Sequence, residues 1–424
     1  MKDDMNINLI EKWIKDLNIY ILVGAVLFFS GDSAIGANYK TARDIMIVVL
    51  FGLTLLYLLL KCHTISINTL RVLMISILCV MLSGLVNLEL SGMSLILVMG
   101  IAFFFSQSIS FFRFMSVYDN WMFIITIASV IGIALQVFFP ASIEVFPELW
   151  VGGSWARNLY ITVIPTGYDV STIRCYGIFR EPAMYSFYLG LALLINLLYV
   201  EKKKYWRILI YLVALLLSKS ITGYIACAYL FFVYVFFINK NLKVKRLGLC
   251  AIPLAVIGLY VSGLLDYILY RFQRTGGSQH SINSRIASIT VNFYTWATHP
   301  IFGAGAINSQ QEFLNNLTKL GYASNLTSAN MVMYLLSSFG FIFALLFLIG
   351  IYGFSKAALG SRKKCMLVLI FFCILFCGET LTYSSMPYII MFYGWVNINY
   401  TKSMSKLWNI EEQNVEMSRD RCTG

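Results

Sequence analysis

The chain has 424 residues, 59% of them hydrophobic and only 12% charged, with a formal net charge of +12. Soluble proteins carry about 25% charged residues, so this chain lacks the charge to coat a water-facing surface, and a soluble globular fold is excluded. Mean hydropathy is +0.75, and the apolar residues fall in blocks separated by short polar stretches.

Lipid offers no water to the backbone, so each block must satisfy its own amides as a helix or join a closed barrel. A barrel needs alternating strands of ~10 residues, and blocks such as 45–60 and 191–200 do not alternate. The expected fold is an all-α integral membrane protein, one polytopic domain over 1–424 with about twelve transmembrane helices. The net positive charge does not imply a nucleic-acid partner, because the basic residues lie in loops between apolar blocks, where membrane insertion puts them. Membrane lipid is the expected surroundings. Nine cysteines make no disulfide framework, since most fall inside apolar blocks; Cys175 alone is placed in an outer loop, without an obvious partner. There is no CxxC pair and no metal-ligand cluster, so no metal is expected. The N-terminus, with Asp3, Asp4, Lys12 and Lys15, does not read as a cleavable signal peptide.

In chain order the spans read as roughly 18–31, 45–60, 72–88, 93–112, 120–139, 182–200, 206–219, 221–238, 247–265, 327–351, 365–378 and 386–399. With the N-terminus in the cytoplasm, the inner segments hold 22 of the 32 Lys and Arg, and that asymmetry sets the orientation. An even span count returns the tail, about 401–424, to the cytoplasm. Two outer loops, about 140–181 and 266–326, are far longer than any inner loop. Such one-sided elaboration suits chemistry on the outer face better than shuttling between two faces, and no two-halves repeat of the transporter kind is visible.

The first outer loop ends in Arg174-Cys175-Tyr176-Gly177-Ile178-Phe179-Arg180-Glu181-Pro182. Pro182 suits the first turn of a helix, which places Arg174, Arg180 and Glu181 at the mouth of the sixth span. An acid at a helix N-terminus gains roughly 0.3–1 kcal/mol from the macrodipole, so Glu181 reads either as a cap paired with an arginine or as an active-site acid. Arginine near a membrane surface suits phosphate, because guanidinium offers a two-pronged donor. Arg174 and Arg180 are candidates for that contact, whereas Arg157 reads equally as a headgroup anchor.

The second outer loop carries Arg271, Arg274 and His280 and then a helical period. Ile282, Ile286, Ile289, Phe293 and Trp296 share one face, and Ser281, Arg285, Ser288, Asn292, Thr295 and His299 share another. An amphipathic helix at the membrane interface is expected, its polar row turned toward a cavity and its end set by Pro300, Gly303 and Gly305. Arg285 and His299 are ~21 Å apart along such a helix at 1.5 Å per residue and cannot grip one phosphate together. His299 reads either as a base or as an ordinary loop histidine. Asn325, Ser328 and Asn330 open the tenth span. Glu379, with Thr380, Thr382 and Tyr383, ends the eleventh, where an acid either serves a site or simply reaches water.

Three segments resemble the superfamily of O-antigen polymerases (Wzy) and O-antigen ligases: Arg174-x-x-Gly177-x-Phe179-x-Glu181-Pro182; Ser284-Arg285 with His299-Pro300-Ile301-Phe302-Gly303-Ala304-Gly305; and Ser328-Ala329-Asn330 with Tyr334 and Phe339-Gly340. The resemblance implies a C-type glycosyltransferase-like fold in the bacterial inner membrane, active on the periplasmic face. It implies an undecaprenyl-diphosphate-linked oligosaccharide as donor and another as acceptor, with a chain-length regulator as a further partner and no cofactor. On it, Glu181 and His299 are the expected catalytic groups. Arg174, Arg180, Arg274, Arg285 and Asn330 are the expected contacts to diphosphate and glycan. Ligases of the family carry histidine where this chain has Ala329, which favours polymerase. The Arg-x10-Gly repeat of some polymerases is absent. A lipid-linked oligosaccharide flippase is the alternative from another class, but it would place charges inside its spans, and here they cluster at span ends.

Overall fold

The computed structural model describes residues 17–61, 65–151, 154–166, 173–200, 204–243, 245–246, 249, 277–359 and 361–398. The expected span at 247–265, together with Arg271, Arg274 and the tail after 400, lies outside the described residues. The chain is mostly helical. Six described helices are long and apolar enough to cross a membrane: α3 (Lys40–Lys61), α4 (Ile67–Val86), α6 (Phe111–Phe138), α7 (Pro182–Leu194, continued as a π turn Ile195–Tyr199), α9 (Ile221–Val233, continued by Tyr234–Ile238) and α12 (Met331–Ala358). Shorter apolar helices stand beside them: α1 (Leu17–Phe28), α5 (Met93–Ser108) and α8 (Tyr205–Ser218), then α13 (Arg362–Phe376) and α14 (Ser385–Asn397). A five-residue helix α2 (Ala34–Asn38) follows α1, and α10 (Gly277–Thr298) and α11 (Asn308–Lys319) lie between α9 and α12.

The fifth span begins earlier than the sequence reading, which started it after Asp119. Ser110 caps it by accepting a hydrogen bond from the Arg113 amide, and the helix runs on through Asp119 because that carboxylate is buried against Arg207. An ion pair lets a charge sit where hydropathy alone would end the span. The first outer loop also departs from a purely helical reading. Residues β1 (Glu148–Val151), β2 (Ser154–Asn158) and β3 (Val163–Pro165) form an antiparallel sheet in the order β1-β2-β3, with Trp150 opposite Trp155.

Helix α7 is almost wholly buried and stands at the centre of the bundle. Its entry is fixed by a short extended pairing: the Ala34 amide donates to Ile178 O at 2.8 Å and the Arg180 amide to Asp32 O at 2.9 Å. Gly177 makes the turn before it at φ +60°, where a Cβ would stand 2.7 Å from the Tyr185 ring. Residues 32–34 and 178–180 are thereby locked together at one end of the bundle.

Helix α12 is broken at Gly340, whose φ of +82° and ψ of 179° are not helical. The break frees carbonyls, and the loop after α10 takes them: Ala304 N donates to Ser337 O at 2.8 Å and Gly305 N to Ser338 O at 3.0 Å. A Cβ at Gly340 would collide with Ile301 O. The segments His299–Gly305 and Phe339-Gly340 are therefore the two halves of one docked joint. Glu89 seals it from below, its carboxylate accepting from the amides of Ala306, Ile307 and Asn308 at the start of α11.

Candidate functional site

Two carboxyls meet at the N-terminal end of α7. Glu181 is the N-cap residue of α7, yet its side chain makes no capping hydrogen bond. It is instead hydrogen-bonded to Glu379, in the turn between α13 and α14. Both side chains are half-buried. Burial pushes the Glu379 carboxyl well above the ordinary carboxylate range, and the charge and hydrogen bond of Glu181 push it further; Arg180 and Arg285 pull it down. Ionising the second of two neighbouring acids is costly, and burial adds to that cost at Glu379. Glu379 is thereby held toward its protonated form, beside Glu181 at the positive end of the α7 macrodipole.

The arginines reach this pair from two elements. Arg180 precedes Glu181 and is held by its backbone bond to Asp32; its Nε contacts Met184 Sδ at 3.4 Å. Arg285, on α10, donates from Nε to Thr222 Oγ1 at 3.0 Å. Thr222 stands in the first turn of α9, near Gly378, which brings α9, α10 and the α13–α14 turn to one point. Asp32 completes the cluster. It is buried, accepts from Tyr188 Oη at 2.9 Å, and is bonded by Ser384. Burial raises its pKa, while Ser384, Arg180 and Tyr188 oppose the rise.

The structure separates the remaining candidates. Arg174 donates to Ser218 O at 3.1 Å and Lys219 O at 3.0 Å, closing the C-terminus of α8, where Lys219 takes the left-handed conformation. Asn330 caps α12 by accepting from the Met333 amide at 3.0 Å and donates to Cys377 Sγ at 3.1 Å, so it shapes the site's edge. His299 sits at the far end of α10, 3.6 Å from Glu312 and within 3.0 Å of Thr298 Oγ1. It is not part of the carboxyl–arginine cluster. Arg157 pairs with Glu148 in the sheet at 2.9 Å. Cys175 is buried, and that burial pushes its thiol up to about 12, which leaves it unreactive.

The polar row of α10 faces inward as the period predicts. Of that row Ser288, Asn292 and Thr295 are buried and Arg285 and His299 half-buried, while Ile286, Ile289 and Phe293 are exposed. Asn292 donates to Ser328 Oγ at 2.9 Å and accepts from Ser337 Oγ at 3.1 Å. A cavity of about 260 Å³ opens beside this row, bounded by α11, by the 326–328 segment and by Thr380, the neighbour of Glu379. Among the described residues no group of three or more His, Cys, Asp and Glu is arranged to hold a metal ion.

Asp32 and its partner Tyr188 were missed by sequence reasoning. The available signal was an acid directly after an apolar block, on the same side as Arg180 and Glu181. The arrangement as a whole offers two neighbouring carboxyl groups, Glu379 favouring its protonated form, beside two guanidinium groups at the start of a buried helix. That suits abstraction of a hydroxyl proton next to a departing phosphate.

Residues 206–349 match the family model described as Wzy_C, O-Antigen ligase. The match supports the O-antigen polymerase/ligase superfamily, whose members transfer glycosyl groups, and does not separate polymerase from ligase. It spans Thr222, Arg285 and Asn330 but not Arg180, Glu181 or Glu379. No curated protein matches the chain.

Proposed function

We propose that the protein is a glycosyltransferase polymerising lipid-linked repeat units of O-antigen or a related surface polysaccharide at the periplasmic face of a bacterial inner membrane. The donor is a glycan on undecaprenyl diphosphate, and the acceptor is the terminal hydroxyl of a second lipid-linked unit. The observation that carries this reading is the Glu181–Glu379 pair set against Arg180 and Arg285 at the end of α7.

In the reaction the acceptor oxygen attacks the anomeric carbon of the donor glycan. The bond from that carbon to the phosphate oxygen breaks, and the diphosphate leaves with the electron pair. The acceptor hydroxyl proton passes to the Glu181 carboxylate. Glu379, held toward its protonated form by burial, is the neighbouring hydrogen-bond partner that restricts where the Glu181 oxygens point. Arg180 and Arg285 stand where negative charge grows on the leaving diphosphate, and fixed charges need no reorganisation as it grows. General-base catalysis is worth about 10²–10⁴-fold, and removal of one preorganised donor costs about 10²–10³-fold.

A ligase reading is favoured by the description of the matching family, and Ala329 weighs against it through the resemblance. The glycans of cells lacking the protein distinguish the readings. A single repeat unit on lipid A–core is expected for a lost polymerase. Unattached polymer indicates a lost ligase, and lipid-linked units stranded in the cytoplasmic leaflet indicate a lost flippase; either of these contradicts the proposal.

A further inference from the structure

The cavity between α10, α11 and the α13–α14 turn is not used by the charges just described. Its wall includes Asn292, Gln310, Phe313, Thr327, Ser328, Tyr334 and Thr380, and no Asp, Glu, Lys or Arg is among the lining residues. The polar groups are amides and hydroxyls, each able both to donate and to accept. A sugar hydroxyl has the same double capacity, whereas a carboxylate or an ammonium has only one side of it. Phe313 and Tyr334 add aromatic surface for the apolar face of a ring.

Two further features define the ligand. At about 260 Å³ the space is smaller than the ~300–1,000 Å³ of a cleft for a drug-sized molecule, so it takes one ring and not a chain. Thr380, in the wall, is the chain neighbour of Glu379, so the cavity borders the turn that carries the carboxyl pair. The floor is rigid. Asn292 is tied to Ser288, Ser328 and Ser337, and Tyr334 Oη donates to Ala306 O at 3.0 Å. Gln310 and Thr327 are exposed at the rim, available to an incoming group.

We infer that this cavity is a subsite for one uncharged sugar ring, the ring adjoining the bond that is made or broken, held by Gln310, Thr327, Ser328 and Thr380. The inference rests on the glycosyl-transfer reading and gives that site its specificity: neutral hydroxylated or amide-bearing rings are accepted, and a uronic acid meets no counter-charge.

The test uses the full-length protein in lipid nanodiscs and, as probe, the lipid-linked repeat unit extracted from cells that lack the protein. Transfer is followed as a function of probe concentration. Gln310→Ala is expected to raise the half-saturating concentration about tenfold, equivalent to the loss of one good hydrogen bond, with the turnover rate held within about twofold. Thr327→Trp, which fills the space, is expected to raise it further. Leu345→Trp, on the lipid-facing side of α12, is expected to match the unaltered protein. If transfer proceeds and both cavity variants saturate like the unaltered protein, the subsite is overturned. A fall in turnover at unchanged half-saturation also overturns it, because Gln310 would then act on the reaction and not on binding. An unaltered protein that transfers nothing from this probe overturns the glycosyl-transfer reading itself, before any variant is compared.

Discussion

Two places in the bundle bring an acid and an arginine together, and they are built in opposite ways. Toward the other end of α6, Asp119 is buried and fully engaged: Asn196 donates to it at 2.6 Å, Tyr211 at 2.7 Å, and Arg207 forms an ion pair. Arg207 also lies 4.8 Å from the Phe123 ring. One positive and one negative charge balance, and each hydrogen bond stays inside the protein. At the N-terminal end of α7, the buried Asp32 and the half-buried Glu181 and Glu379 crowd around Arg180 and Arg285, with the Glu379 carboxyl pushed toward its protonated form. A balanced, enclosed pair ties helices together. An unbalanced, partly open cluster stores a proton and presents charge to something outside the protein.

That contrast predicts two separable phenotypes. Arg285→Ala is expected to lower glycan transfer at least a hundredfold, with normal protein levels in the membrane and an unchanged melting temperature; a full-length glycan ladder from this variant breaks the phosphate assignment. Arg207→Ala is expected to do the reverse. It leaves Asp119 buried and unpaired, at a cost of about 3–5 kcal/mol, read as a lower melting temperature with transfer per folded molecule preserved. Arg180→Lys is expected to retain about a tenth of the activity, since a point charge replaces a fork.

The pH response sharpens the comparison. Burial and Glu181 raise the Glu379 pKa, so the Glu379 proton is fully present at and below the ordinary carboxylate range. It is lost as pH rises through the elevated value, after which two carboxylates face each other. The stabilisation carried by that proton falls over the same window, and transfer is expected to fall with it on the alkaline side. Glu379→Gln keeps a neutral donor at the same place. It is expected to stay within about threefold of the unaltered protein near neutral pH and to lose the alkaline fall. His299→Ala, remote from the cluster, is expected to change transfer by less than about twofold.

Much of this was legible in the chain. Apolar blocks located the helices because lipid demands internally bonded segments. Pro182 marked the start of α7, and the 3.6-residue period of 281–299 correctly separated the inward polar row from the outward apolar one. Arg180, Glu181 and Arg285 were named as site residues from charge and placement. The pairing of Glu181 with Glu379 was not legible, because the two are brought together only by the packing of α7 against α13 and α14. Asp32 was hidden for the same reason. Arg174 and Asn330 illustrate the opposite limit: a residue type suited to a ligand is equally suited to a helix end, and only the hydrogen bonds tell which end it closes. Gly303 and Gly305, expected to end the amphipathic helix, also dock onto the break in α12 through the Ala304 and Gly305 amides.

The most direct measurement is the single-turnover transfer rate of Glu181→Gln beside Asp119→Asn, both in nanodiscs and normalised to folded protein. The account predicts a loss of at least a hundredfold for Glu181→Gln and a rate within about threefold of the unaltered protein for Asp119→Asn. Normal chain growth by Glu181→Gln, or an equal loss in both, contradicts the assignment of the cluster at the N-terminal end of α7 as the reaction centre.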